Sequence, residues 1–297
     1  MSDLKSALIS GDKRALARVI SLVENQHPQA LALLQDLAFN QAPLIGITGP
    51  PGAGKSTLIN ALCGFWLNQG LKVGIVAVDP SSPFNHGALM GDRLRMSEHF
   101  LHPNLFIRSM ASRGNLGGLS PKIFEVCDLF RAAGFDKIII ETVGVGQSEV
   151  EIAGLADTTV LVLVPEAGDD IQAIKSGIME IGEVYVVNKS DREGADVFYK
   201  NLVLLAHTHA TQEWETPVIK TVAQKDIGIE SLVQAIENHR KAPIKLAQKA
   251  QLLAARAMMM IAGLRTKDIS PDDLSKEILL GLNQPNFNLY KLVAAYA

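Results

Sequence analysis

Seven short apolar runs, separated by stretches with helical spacing, restrict the possible folds of this 297-residue chain more than any other feature. Two of them, KIIIE at 137–141 and TTVLVLV at 158–164, show no alternation of polar and apolar residues. Strands that are buried on both faces have this composition, as the parallel strands of α/β proteins do. The other predicted strands are 44–48, 72–78, 104–109, 184–188 and 217–220.

Parallel strands need crossover connections, and the stretches between the runs are suited to form them as helices. Helical spacing is found at 121–133, 169–181 and 195–210. We therefore predict an α/β fold with a doubly wound, mostly parallel sheet and helices on both faces.

The two ends of the chain lack such runs and predict helices instead. Before the first strand, apolar residues recur at helical spacing, with a second helix that ends near Asn40, and after residue 228 no strand pattern recurs. We expect an N-terminal helical extension over 1–40, an α/β domain over 41–242 and a C-terminal helical segment over 243–297. The predicted caps and first residues of helices are Asp12, Pro28, Ser270 and Pro271.

Composition and charge exclude several classes of protein. The net charge is −3, so the chain lacks the basic excess of a general nucleic-acid binder. No apolar run is long enough to span a bilayer, and the N-terminal residues fit neither a secretory signal nor a transit peptide. Cys63 and Cys127 lie in apolar stretches and predict reduced core residues. We expect a cytoplasmic protein.

The stretch GPPGAGKS, residues 49–56, follows the first predicted strand and precedes a helix. It fits the pattern GxxxxGK[ST], whose glycines let successive N–H groups point at phosphate oxygens. The helix N-terminus adds partial positive charge, the lysine reaches the β- and γ-phosphates, and the serine hydroxyl ligates Mg²⁺. The candidate nucleotide-binding residues here are Gly49, Pro50, Gly52, Ala53, Gly54, Lys55, Ser56 and Thr57.

The nucleotide base is predicted from NKSD at 188–191, which fits the NKxD pattern and follows a predicted strand. The Asp191 carboxylate can accept hydrogen bonds from guanine N1–H and the N2 amine together. Adenine lacks both donors and would leave the carboxylate unpaired. An ordinary polar turn could have the same composition. NKSD follows the phosphate motif in the chain, however, and this order favours GTP. Further predicted contacts are Asn188, Lys189, Thr221, Val222 and Ala223.

Two more strand ends carry candidate residues for Mg²⁺ and hydrolysis. Asp79 ends the strand that follows the phosphate-motif helix, at the edge where ligands bind in open α/β sheets. It can hold Mg²⁺ through water or orient the attacking water. ETVG at 141–144 stands where most GTPases have DxxG, so Glu141 can hold a Mg²⁺-bound water and the Gly144 N–H can meet the γ-phosphate. Gly144 and Gly146 would let this loop rearrange.

Long segments of the chain resemble the MeaB/ArgK family of GTPases. They include VDPSSPFNHGALMGDRLRM, FIRSMASRGNLGGLSPKI, TVAQKDIGIESL and the stretch from IIIETVGVGQSE through VYVVNKSD, and they cover about residues 40 to 240 densely. The resemblance implies a homodimeric GTPase chaperone of an adenosylcobalamin-dependent acyl-CoA mutase, typically methylmalonyl-CoA mutase. Such a protein gates the loading of intact cofactor and helps to replace damaged cofactor.

The same resemblance implies roles for individual residues. Asp79 and Asp92 correspond to switch carboxylates near Mg²⁺ and the γ-phosphate, and Glu141 to the ligand of a Mg²⁺-bound water. The segment 166–177, with Gln172 and Lys175, corresponds to a switch loop that contacts the mutase. Candidate charges for the transition state are Arg93, Arg95, Arg108 and Arg113, of which most are expected to be structural.

The resemblance also implies dimerisation through C-terminal helices. The residues Leu252, Leu253, Met258, Met259 and Ile261 could form that face, although a single-chain core would show the same residues. Two other functions remain alternatives: delivery of a metal to another metalloenzyme, and a GTP sensor without appreciable turnover. The cysteines and histidines lack ligand spacing, and a small-molecule kinase would need an acceptor pocket that the sequence does not indicate. The sequence leaves the identity of the client mutase open.

Overall fold

One parallel sheet organises the structure, a computed structural model that describes residues 2–79, 99–111, 120, 122–142, 148–168, 179–208, 214–242, 246–282 and 289–296. Its strands in these residues are β1 Leu44–Thr48, β2 Val73–Asp79, β3 Leu105–Ala111, β4 Lys137–Glu141, β5 Thr158–Leu163, β6 Val184–Val187 and β7 Val218–Lys220. All neighbouring strands pair in parallel. Every predicted run is a strand, and the predicted α/β fold class is confirmed.

The strand order is β3-β2-β4-β1-β5-β6-β7, which places β1 in the middle of the sheet. The chain first adds strands on one side of β1 and then, from β5 onward, on the other side. At such a reversal the loops that follow neighbouring strands diverge and leave a crevice outside the carboxyl ends. The loops after β1, β4 and β6 therefore lie at the edge where a ligand is expected.

The described helices connect the strands and extend both ends of the chain. They are α1 Ser2–Ile9, α2 Lys13–Glu24, α3 Pro28–Gln35, α4 Lys55–Asn68, α5 Ile123–Ala132, α6 Ser148–Ala153, α7 Ala195–Thr208, α8 Ile229–Lys241, α9 Leu246–Arg265, α10 Pro271–Leu282 and α11 Leu289–Tyr296. Short 3₁₀ turns span Pro165–Gly168, Met179–Ile181 and Ala223–Lys225. The predicted helix 169–181 lies mostly outside the described residues, and its last three residues form a 3₁₀ turn.

The sheet separates two layers of apolar side chains. On β4, Ile139 packs into one layer with α4, α7 and α8. Its neighbours Ile138 and Ile140 pack into the other, with α2, α3, α5 and α6. Both layers are needed because successive side chains of a strand point to opposite faces. This is why KIIIE and TTVLVLV are apolar throughout.

The N-terminal helices cover the second layer and belong to one compact unit with the sheet, residues 1–243. The Asp12 side chain caps α2 by accepting a hydrogen bond from the Ala15 N–H at 2.6 Å, as predicted. The prediction that a helix starting at Pro28 reaches Asn40 was wrong, because α3 ends at Gln35. Asn40 instead forms a turn into β1: its Oδ1 accepts from the Ala42 N–H at 3.0 Å.

Residues 244–297 form a second compact unit, which contains α9, α10 and α11. The predicted start of α10 is confirmed, since the Ser270 hydroxyl accepts a hydrogen bond from the Asp273 N–H at 3.3 Å. Several large apolar side chains on α9 are exposed, among them Met258 and Met259. Across the described part of the chain, no helix combines the length and apolarity needed to cross a bilayer.

Candidate nucleotide-binding site

The loop between β1 and α4 has a backbone that requires glycine at two positions. Gly49 has φ of 137°, and a Cβ there would lie 2.1 Å from the carbonyl oxygen of Val162 on β5. Gly54 has φ of 86°, and a Cβ there would lie 2.5 Å from the side-chain nitrogen of Asn188. Both φ values are in the range that L side chains rarely adopt. The glycines of the phosphate motif thus allow close packing against the two neighbouring strand ends.

The N-terminus of α4 begins at Lys55 and has Gly54 as its N-cap, with no side chain capping the helix. The first N–H groups of a helix lack intrahelical partners, so they can bind an anion there. Lys55 is buried, and its ammonium donates to the carbonyl oxygens of Gly49 at 2.8 Å and Pro50 at 3.1 Å. The Lys55 ammonium is therefore held against the carbonyl oxygens of its own loop, which precedes the N-terminus of α4.

Two predicted Mg²⁺ ligands lie in direct contact. The Ser56 hydroxyl, in the first turn of α4, donates to the Glu141 carboxylate at the end of β4 over 2.6 Å. Thr142, the residue after Glu141, donates its hydroxyl to the Thr48 hydroxyl at 3.0 Å, and both threonines are buried. A hydroxyl beside a carboxylate is an oxygen donor set that suits Mg²⁺, so these residues fit the ion.

The other predicted residues for hydrolysis are only partly described. Asp79 is the last residue of β2, two positions beyond Ala77, which pairs with Glu141, so its backbone lies at the same edge of the sheet. Arg108, one of the four candidate arginines, forms an ion pair with Glu24 of α2 and has a structural role here. The residues that lie outside the described parts of the chain are Asp92, Gly144, Gln172, Lys175, Arg93, Arg95 and Arg113.

The loop after β6 is joined to the phosphate loop through two side chains. The buried Asn188 amide donates to the Ala53 carbonyl oxygen at 2.9 Å, and the Lys189 ammonium donates to the Gly52 carbonyl oxygen at 2.8 Å. Lys189 has φ of 54°, a conformation uncommon outside glycine. The two sequence motifs, whose contacting residues are 135 and 137 positions apart in the chain, therefore form one site.

Asn188 also connects this loop to the predicted third base contact. Its Oδ1 accepts hydrogen bonds from the Thr221 hydroxyl at 3.0 Å and from the Ala223 N–H at 3.2 Å. Thr221, Val222 and Ala223 are all buried. The structure thus brings the segment after β7 to the NKSD loop, at the carboxyl ends of β6 and β7.

Asp191, the predicted reader of guanine, is partly exposed and forms an ion pair with Lys225, whose ammonium lies 2.9 Å from Oδ2. The hydrogen bond from Lys225 is the main cause that lowers the pKa of Asp191 below its usual value, which favours the charged carboxylate. Charged acceptors make the stronger hydrogen bonds to N–H donors. The carboxylate therefore stays charged, which is the form that would accept hydrogen bonds from a nucleotide base.

Sequence reasoning missed two features of this site. The buried pair of Thr48 and Thr142 has no motif of its own, since each threonine is an ordinary strand-end residue. Lys225 stands in the stretch TVAQKD that supported the resemblance, but nothing in the sequence indicates that it reaches Asp191, 34 positions away. The two cysteines are free and buried, as predicted, and burial together with the nearby Glu141 raises the pKa of Cys63.

Comparison with solved structures supports this architecture. The crystal structure of LAO/AO transport system kinase superposes with a TM-score of 0.71 at 27% identity, covering 99% of this chain and 96% of that one. HypB from Helicobacter pylori, solved in complex with nickel, superposes with a TM-score of 0.51 at 14% identity, covering 74% of this chain and 94% of that one. The second likeness is one of fold alone.

Comparison with protein sequences is more specific. A putative GTPase of Pyrococcus horikoshii, PH0274, is 44% identical over 91% of this chain and 88% of its own length. GTPase ArgK of Escherichia coli is 36% identical over 87% of this chain and 80% of its own length. The mouse methylmalonic aciduria type A homolog, a mitochondrial protein, is 35% identical over 84% of this chain and 66% of its own length.

A family model matches most of the chain. It covers residues 16–276 and is described as methylmalonyl Co-A mutase-associated GTPase MeaB. The match includes the phosphate loop, the strand end at Glu141 and the NKSD loop, which the structure brings to one edge of the sheet. This chain therefore belongs to the MeaB family of GTPases.

Proposed function

We propose that this protein binds and hydrolyses GTP in order to gate cofactor loading and protection in an adenosylcobalamin-dependent acyl-CoA mutase, with methylmalonyl-CoA mutase as the first candidate. The GTPase part is carried by one observation: the NKSD loop and the phosphate loop are joined by the hydrogen bonds of Asn188 and Lys189. The mutase part is supported by the family description.

In this proposal the phosphate loop and α4 bind the β- and γ-phosphates. The N–H groups of Gly52 to Thr57 and the Lys55 ammonium would stabilise the charge that develops as the γ-phosphoryl group is transferred to water. Lys55 would exchange its present carbonyl partners, Gly49 and Pro50, for phosphate oxygens. The Gly144 N–H is assigned to the γ-phosphate.

Mg²⁺ would be held by the Ser56 hydroxyl and by the carboxylates of Asp79, Asp92 and Glu141, directly or through water. The ion would neutralise charge on the β- and γ-phosphates. Glu141 is well suited to this role because its carboxylate accepts a hydrogen bond from the Ser56 hydroxyl, with an O–O distance of 2.6 Å, and because it lies at the end of β4.

Guanine would be read by Asp191, with the Lys189 stem along the base plane and the segment Thr221 to Ala223 closing the site. An Asp191→Asn variant tests this assignment, because its amide can donate to the C2 carbonyl of xanthine. We expect GTP to bind at least about tenfold more weakly, whereas binding of xanthosine triphosphate should improve. Equal affinity of the wild-type protein for ATP and GTP would contradict the base assignment.

The partner is tested by measuring GTP hydrolysis with and without purified methylmalonyl-CoA mutase from the same organism. We expect the mutase to stimulate hydrolysis, and the Lys55→Ala variant to lose the stimulated and the basal rates together. If the mutase neither stimulates hydrolysis nor forms a complex, the assignment of methylmalonyl-CoA mutase as the partner is wrong. Other acyl-CoA mutases and metalloenzymes would then be assayed in the same way.

The remaining parts of the proposal concern assembly and location. We propose a cytoplasmic homodimer, with the GTPase domain over 41–242, the N-terminal extension over 1–40 and dimerisation through 243–297. Gln172 and Lys175 are assigned to the mutase-contacting loop, and their variants would be tested for loss of stimulation at an unchanged basal rate.

A further inference from the structure

We propose that Lys225 is a positioning residue for guanine recognition: it holds the Asp191 carboxylate in the orientation that accepts the base. The inference rests on the guanine-binding part of the proposed function and adds a residue outside the NKxD pattern to it. The main evidence for it is the ion pair between the Lys225 ammonium and Asp191 Oδ2, at 2.9 Å.

The backbone that carries Lys225 is fixed. Val222 and Ile227 exchange hydrogen bonds of 3.1 and 3.3 Å across the loop, and Ala223–Lys225 between them form a 3₁₀ turn. Gly228 closes the loop with φ of 80°, and a Cβ there would lie 2.1 Å from the Lys220 carbonyl oxygen. The backbone at Lys225 is thus held in a closed loop, from which the lysine side chain reaches Asp191.

The same loop is tied to the base-binding residues by a second route. Asn188 Oδ1 accepts the Ala223 N–H at 3.2 Å, and the Ser190 N–H donates to the Thr221 carbonyl oxygen at 3.0 Å. Lys225 follows two residues after Ala223, and Asp191 follows one residue after Ser190. Backbone hydrogen bonds therefore hold the segments that carry Lys225 and Asp191 close together, and the ion pair joins their side chains.

Pairing with Lys225 is compatible with binding of the base. A carboxylate offers about four lone-pair sites, so one ion pair leaves acceptors for guanine N1–H and the N2 amine. The Asp191 side chain is 43% exposed, which leaves room for a ligand to approach. A carboxylate that is already oriented loses less conformational entropy when the base binds.

The test compares nucleotide affinities of the full-length protein and its Lys225→Met variant by displacement of fluorescent GDP. Inosine diphosphate lacks the N2 amine, so the ratio of GDP to IDP affinity reports on the bond that Asp191 makes. We expect Lys225→Met to weaken GDP binding by about three- to fivefold and to lower this ratio. Lys225→Arg should keep the GDP affinity and the ratio of GDP to IDP affinity near the wild-type values, because arginine preserves the positive charge.

Lys220→Met is the matched control, since Lys220 pairs with Asp196 near the same loop and has no assigned role in nucleotide binding. It should leave the ratio unchanged. In an Asp191→Asn background, Lys225→Met should have no further effect. The proposal is overturned if Lys225→Met behaves like Lys220→Met, or if its effect adds fully to that of Asp191→Asn. A wild-type protein that binds ADP as tightly as GDP would instead overturn guanine recognition itself.

Discussion

At the scale of single residues, Gly54 joins the two halves of the nucleotide site. It permits the left-handed turn into α4, and it leaves space for the Asn188 amide to reach the Ala53 carbonyl oxygen. An added methyl group would lie 2.5 Å from the side-chain nitrogen of Asn188, so that contact would have to break. Gly54 is thus needed for the contact between the NKSD loop and the phosphate loop as well as for the turn into α4.

We therefore expect Gly54→Ala to lower GTP affinity by more than about tenfold and to destabilise the fold by about 1–3 kcal/mol. Gly70→Ala is the control, because Gly70 has a similar φ of 78° and open space around its Cβ position. The control should lose about 1 kcal/mol of stability without a change in affinity. Binding is measured by titration and stability by urea denaturation; equal affinities for the two variants would contradict the role of Gly54.

At the scale of elements, the connection between β5 and β6 contains a carboxyl group with a shifted pKa. Glu183 lies just before β6, and its Oε2 accepts the Thr159 N–H of β5 at 2.5 Å. Burial raises its pKa from 4.5 to about 7. Because the folded state prefers the protonated form, this group contributes stability below pH 4.5 and loses that contribution as the pH rises through 7.

For the wild-type protein, we expect Glu183 to lower the free energy of unfolding by about 2 kcal/mol between pH 5 and pH 8. Glu183→Gln should remove this part of the pH dependence and be the more stable protein at pH 8. Glu180→Gln, at an exposed position of the preceding 3₁₀ turn, is the control. Urea denaturation at the two pH values measures the effect, and identical pH profiles for Glu183→Gln and wild type would refute it.

At the scale of the whole molecule, the C-terminal unit presents apolar side chains that monomeric proteins seldom expose together. Met258 and Met259 on α9 are 66% and 71% exposed, and Leu279 and Leu280 on α10 are also exposed. Burial in a second copy would remove this surface from water. The exposure of these side chains agrees with the proposed dimerisation segment, although Leu252 is outside the side chains that the structure describes.

We expect the double variant Met258→Lys, Met259→Lys to be monomeric in sedimentation equilibrium, while the wild-type protein sediments as a dimer. Two lysines would each place a charge in an apolar interface without a partner. The variant Val197→Lys, Leu204→Lys is the control, because those side chains are equally exposed on α7 of the other unit. A double variant at α9 that stays dimeric would place the interface elsewhere.

The strands, several helix caps and the two nucleotide motifs could be predicted from the amino-acid sequence alone. These features are local: KIIIE is apolar because both of its faces are buried, and Asp12 and Ser270 cap helices within three residues of themselves. The glycine pattern of residues 49–56 likewise reports a backbone conformation that its own residues must adopt. Helix ends were less well predicted, as α3 shows, because Asn40 is held by Phe135, 95 positions away.

Which of these residues lie in contact became clear from the folded chain. Ser56 meets Glu141 across 85 positions, Asn188 meets Ala53 across 135, and Lys225 meets Asp191 across 34. No local pattern encodes these pairs, because they depend on the order in which parallel strands are placed in the sheet. That order brings the carboxyl ends of β1, β4 and β6 to one edge of the sheet. The ion pair of Arg108 with Glu24 of α2 is likewise a contact between residues distant in the chain.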